Sequence, residues 1–109
     1  MSENTLVVFS TFGSAEEARR ISRTVVEEHL AACANILPAI ESIYHWKGGV
    51  ETAPETLVLF KTSRERYLQF EHRLKELHSY EVPEIVALPI QAGHSAYLQW
   101  IQESCRDAS

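Results

Sequence analysis

Between Cys33 and Thr62 the chain offers two β-rich arms joined by the glycine turn of "KGGVE", and no other stretch constrains the fold as much. The first arm runs to Trp46 and is interrupted by Pro38; the second ends in "TLVLFKT". An arm of about 13 residues extends roughly 40 Å at ~3.3 Å per residue. A domain of this chain length has a diameter of only ~34 Å, from a radius of gyration near ~13 Å. The hairpin is therefore expected to project beyond its own domain. Its end carries Tyr44 and Trp46, and an isolated apolar hairpin is marginal in water and open to edge pairing. Pairing with a further subunit is the expected outcome.

The remaining elements are shorter. "TLVVFST" (5–11) is an apolar, β-branched run ending at Gly13, which predicts a strand. Ser14 and Glu17 have capping-box spacing, and Ala18, Ile21, Val25 and Leu30 follow at helical intervals. After the hairpin, Thr62 and Glu65 form a second capping box, and Tyr67, Phe70, Leu74 and Leu77 mark the apolar face of a helix that should stop near His78. "VPEIVALPI" (82–90) predicts a fourth strand with prolines near both ends, where a missing N–H does least harm. Ser95 is placed to cap a last helix with Tyr97, Leu98 and Ile101 on its buried side.

The order is βαββαβ plus a C-terminal helix. Two strand-helix-strand units with right-handed crossovers give a ferredoxin-like α+β sandwich in one domain spanning 1–109, its helices on one face of the sheet. Yet "LVVF" and "LVLF" are continuous apolar runs, a pattern of strands buried on both faces. Two helices cover one face only, so something else is expected to cover the other.

Charge and cysteine usage narrow the function classes. A net charge of -5 disfavours a phosphate backbone as the main partner, because that binding needs a clustered excess of Lys and Arg. The first residues lack the basic region and apolar core of a signal peptide or a membrane span, so neither export nor a membrane partner is expected. Cys33 and Cys105 are far apart with no C-x-x-C spacing, which gives no support to a zinc ribbon or a redox motif. Both are expected to be reduced thiols in the cytoplasm.

"ACANILPAIESIYHWKGGVE", "LVLFKT", "HSYEVPEIVALPI" and "YLQWI" together resemble the CutA family of divalent-cation tolerance proteins, over about Leu6 to Ile101. The resemblance implies a cytoplasmic homotrimer in which long hairpins and edge strands pair across subunits. It also implies a role in the response to divalent cations, Cu(II) binding in some members, no established catalysis and no required cofactor. A likeness of that family to PII signalling proteins makes a sensor of a small metabolite or nucleotide the alternative.

The copper ligands that the resemblance implies are a Cys near the end of the first strand and a His pair before Pro-Tyr. Here Ser10 stands at the thiolate position, Leu77 at the first His and Ser79 at the proline; His78 alone matches. His78 is thus the metal candidate, and its other reading is a residue at a helix C-terminus, where an imidazolium meets the last carbonyls. His29 and Cys33 are four apart, but Cys33 is expected to lie past the helix; His45, His72 and His94 have no local partner.

Glu81 and Glu84 fall on opposite faces of an extended segment, which weakens a carboxylate pair. Glu84 is expected to pair with Lys61 if their strand ends converge near a subunit boundary. Tyr44, Trp46, Tyr80 and Trp100 suit core and interface. A cleft between subunits, with Lys61, Tyr80, Glu84, Trp46 and Trp100 as its candidate residues, would suit a small anion or metabolite.

Other occupants of the same fold match less well. "TFGSAEE" has one glycine and two acids, unlike a phosphate-binding loop, and it lacks the Arg of an acylphosphatase. "TLVLFKT" is not a basic RNA-binding motif, and the paired cysteines of a copper chaperone are absent.

Overall fold

A computed structural model of the chain describes residues 4–106. The elements are β1 (Thr5–Phe12), α1 (Ala15–Glu27), β2 (Cys33–Trp46), β3 (Gly49–Ser63), α2 (Tyr67–Leu77), β4 (Val86–Pro89) and α3 (Ser95–Ser104). The four strands form one sheet in the order β2-β3-β1-β4, every neighbouring pair antiparallel. This is the expected α+β, ferredoxin-like order.

The register assigns each side chain to a face. Leu6, Val8, Ser10 and Phe12 of β1 lie beside Thr62, Phe60, Val58 and Thr56 of β3 on the face that the helices cover. Ala18, Ile21 and Val25 of α1 and Phe70 and Leu74 of α2 close the core there, and Phe60 meets Phe70 edge-on at 5.0 Å between ring centroids. The α3 helix docks at the end of the sheet where β2 begins and β4 ends, through Ile101, Cys105 and Leu98 against Ala32 and Ile90.

The hairpin is as long as its arms require. Lys47 and Gly48 both have positive φ, 48° and 81°, the signature of a two-residue turn whose twist matches the strands, and Trp46 faces Gly49 across it. Leu37 pairs with Leu57 but Ile40 with Glu55, so β2 carries one extra residue in a bulge at Pro38 and Ala39. The Pro38 carbonyl accepts from Thr56 Oγ1 at 3.0 Å. Beyond the bulge Ile43, Trp46 and Val50 are exposed, and the principal extents of 44 × 28 × 22 Å record the projection.

Several helix and strand ends differ from the sequence expectation. At α1 the Ser14 hydroxyl accepts from the Glu17 amide as predicted, but the Glu17 carboxylate turns to the Ser79 amide. The predicted Thr62 cap does not form: Thr62 is buried in β3, donates to the Leu30 carbonyl at 2.6 Å, and leaves Ser63 to accept from the Arg66 amide. Ser95 lies inside α3, after His94. The fourth strand is limited to Val86–Pro89, because the chain from Ser79 to Ile85 forms the return loop. α1 ends with His29 in the left-handed region, where the Leu30 and His29 amides bond the Val25 and Val26 carbonyls.

Candidate functional site

Two regions gather the polar groups singled out in the sequence. The first is the junction after α2. His78 is the residue that ends this helix and is buried, 8% exposed. Its Nδ1 lies 3.0 Å from the Tyr80 amide, an obligate donor, so the ring proton must sit on Nε2, 2.7 Å from the Thr11 carbonyl that accepts it. The ring stacks on Phe12 at 4.5 Å and 13°. Both nitrogens are thus occupied by backbone partners. The imidazole binds a strand carbonyl, not the last carbonyls of its own helix.

A copper site of the kind the resemblance implies does not fit these residues. Nδ1 has the only free lone pair of the neutral ring, and the Tyr80 N–H occupies it. Ser10 is buried with its hydroxyl unpartnered, and Leu77 offers no donor. Among the described residues no three His, Cys, Asp or Glu side chains converge on one point. His78 is a hydrogen-bonded strut between α2 and β1.

Tyr80 extends the junction toward the hairpin. Its hydroxyl donates to Glu55 at 2.7 Å, and its ring lies against Gly13. Burial, then Glu55, Glu17 and Tyr44, push its phenol well above the usual range, so it stays a neutral donor. Sequence reasoning missed Glu55 as its partner, because the two are 25 residues apart and meet only through β3.

The second region is the sheet face opposite α1 and α2. Val7 pairs with Leu88 and Lys61, Phe9 with Val86 and Leu59, and Leu37 with Leu57, all on this side. Leu37, Val86 and Leu88 remain 42%, 49% and 50% exposed. Among the described residues no helix covers the Leu37, Val86 and Leu88 part of this face, as the apolar runs of β1 and β3 foreshadow.

At one end of this face lies a polar group. Cys33 sits directly opposite Lys61; its Sγ is 3.7 Å from Tyr97 Oη and 4.0 Å from Asn35 Oδ1. Lys61 Nζ donates to the same Asn35 oxygen. Tyr97 packs against Trp100 at 5.4 Å, and its phenol is raised by burial and then by Cys33.

The five candidate cleft residues do not meet within one chain. Lys61 shares an end of the sheet with α3, the helix that carries Trp100, whereas Tyr80 is at the far end beside Glu55 and Trp46 is at the hairpin tip. Glu84 precedes β4 by two residues and therefore sits past the level of Phe9, while Lys61 is level with Val7. A Lys61–Glu84 pair inside one chain is ruled out by this register. His29 and Cys33 also part, since His29 Nδ1 approaches the Ser104 carbonyl at 3.2 Å.

Comparison with known proteins places this geometry in a family. The profile of the "CutA1 divalent ion tolerance protein" matches residues 6–104. The divalent-cation tolerance protein CutA of Thermus thermophilus is 49% identical over 98 residues, covering 90% of this chain and 95% of that protein. The rice protein CutA 1, named as chloroplastic, is 40% identical and covers 94% of this chain, which spans only 58% of it. The solved Thermus thermophilus divalent cation tolerance protein has a TM-score of 0.89 and 48% identity, covering 92% of this chain and 97% of that one. No helix among the described residues is long and apolar enough to cross a membrane.

Proposed function

Because the chain belongs to the CutA1 divalent ion tolerance family, we propose that it serves divalent-cation tolerance as a homotrimer and not by turning over a substrate. The observation that carries this reading is the open sheet face. Val7, Phe9, Leu37, Leu57, Leu59, Val86 and Leu88 form a continuous apolar surface larger than scattered exposed side chains, and such surfaces belong against a partner. A hairpin that extends past its own domain supplies a long second contact.

In this proposal the tolerance function depends on the assembled form and not on a His78 metal centre, since that ring is spent on backbone partners. The cytoplasm is the proposed location, because Cys33 and Cys105 are both free thiols. The test is complementation: cells lacking their own member of the family are plated on Cu(II) while expressing this chain. Wild type and His78→Ala are expected to restore growth and Leu59→Asp, which puts a charge on the open face, is not. Growth with Leu59→Asp equal to wild type would refute dependence on that face.

A further inference from the structure

The open face carries one ammonium, that of Lys61, which no carboxylate among the described residues neutralises. Lys61 is half-buried between Val7 and Cys33, and among the described residues its ammonium donates to the neutral amide oxygen of Asn35 and to no carboxylate. Glu55, six residues earlier on β3, is roughly 20 Å away along the strand and is engaged by Tyr80. Covering this face with an apolar surface would strand an ammonium away from water, which is among the most costly events in folding or association. Whatever covers the face must bring a negative charge to Lys61.

Glu84 is the complementary group. It is exposed and, among the described residues, has no hydrogen-bond or ion-pair partner. It stands two residues before Val86, whose side chain lies on the open face, so it borders the same surface. Within one chain it is displaced from Lys61 by about 13 Å along the strands and by two strand spacings, roughly 10 Å, across them. One face thus carries a cation at one end and a carboxylate at the other, each lacking its counterpart. Packing between copies lets each end find the opposite end of a neighbour.

We propose that Lys61 of one copy forms an ion pair with Glu84 of a second copy, closing the open sheet face. This rests on the self-association proposed above. The pair would fix the register of the two faces as well as neutralise the ammonium, since a shifted register would bury both charges unpaired.

The direct test uses the wild-type protein, mixed from isotopically light and heavy copies and treated with a zero-length carbodiimide cross-linker. A Lys61–Glu84 linked peptide containing one light and one heavy half is expected. Charge reversal supplies the second arm. Lys61→Glu and Glu84→Lys should each weaken assembly by about ten-fold or more, and the double variant should recover most of the loss. An assembled wild type in which Lys61 links to a different carboxylate, or to none, overturns the pair and leaves the self-association reading standing. So does protection of Lys61 by a small dicarboxylate such as succinate with assembly unchanged by either reversal, which would make the occupant a free carboxylate. A monomeric wild type overturns both.

Discussion

His78→Ala should cost the protein about 3 kcal/mol per copy, a value built from three losses. The Thr11 carbonyl and the Tyr80 amide each lose a partner at a site that is 8% exposed, at ~1–3 kcal/mol for a buried group left unmade. The stack on Phe12, at 4.5 Å, adds ~0.5–1.5 kcal/mol. Partial access of water to the half-buried Tyr80 amide keeps the sum near the lower end. His78→Phe retains the stack and should lose about 2 kcal/mol. His78→Gln, which has both a donor and an acceptor, should recover part of that. Thermal unfolding at one fixed protein concentration is the assay, since assembly makes the midpoint depend on concentration. A drop of roughly 13 °C is expected for His78→Ala. A change within ~0.5 kcal/mol of wild type, with Cu(II) binding by calorimetry abolished in the same variant, would show that the ring is a ligand and not a strut.

Thr62→Val keeps the shape of a fully buried side chain but orphans the Leu30 carbonyl, and a denaturant titration should show a loss of about 1–2 kcal/mol. Gly48→Ala forces a side chain onto a φ of 81° and should cost ~1 kcal/mol. Gly49→Ala, where the nearest atom to an added Cβ is 3.9 Å away, should stay within ~0.5 kcal/mol of wild type by the same titration. Burial and then Glu71 raise the Tyr67 phenol to about 12. The folded chain then keeps a proton that the unfolded chain loses near pH ~10. The stability that Tyr67 contributes is whole below pH ~10 and is lost as pH rises toward about 12. Denaturant midpoints measured across that window should fall less steeply in Tyr67→Phe than in wild type.

Periodicity made the core legible. Ala18, Ile21 and Val25, and Phe70 and Leu74, are buried where helical spacing puts them, and the apolar runs of β1 and β3 announce an open face that needs covering. Local capping rules failed where the fold brought a better partner. Glu17 has the spacing to reach back to Ser14, but the loop after α2 presents the Ser79 amide, which donates to the Glu17 carboxylate at 3.0 Å. Thr62 likewise serves Leu30, 32 residues away, so the start of α2 falls to Ser63. These contacts depend on how the elements pack, and spacing in the sequence carries no trace of that.

The metal reading of His78 shows the same division. The residue is visible in the sequence, but the states of its two nitrogens are set by Thr11, 67 residues earlier, and by the turn to Tyr80. Lys61 and Glu84 do not meet within the chain for a reason the register supplies: β3 and β4 flank β1 on opposite sides, and Glu84 lies past the level of Phe9 while Lys61 is level with Val7. What sequence spacing could not show is that, among the described residues, neither charge has an oppositely charged partner.

The central claim is that the open sheet face is an interface between copies of this chain, and sedimentation velocity of the purified wild type at micromolar concentration tests it most directly. A single species with the mass of three 12.4 kDa chains is expected, converted to smaller species by Leu59→Asp with its helical content intact. A wild-type protein that sediments as a folded monomer at that concentration would contradict it.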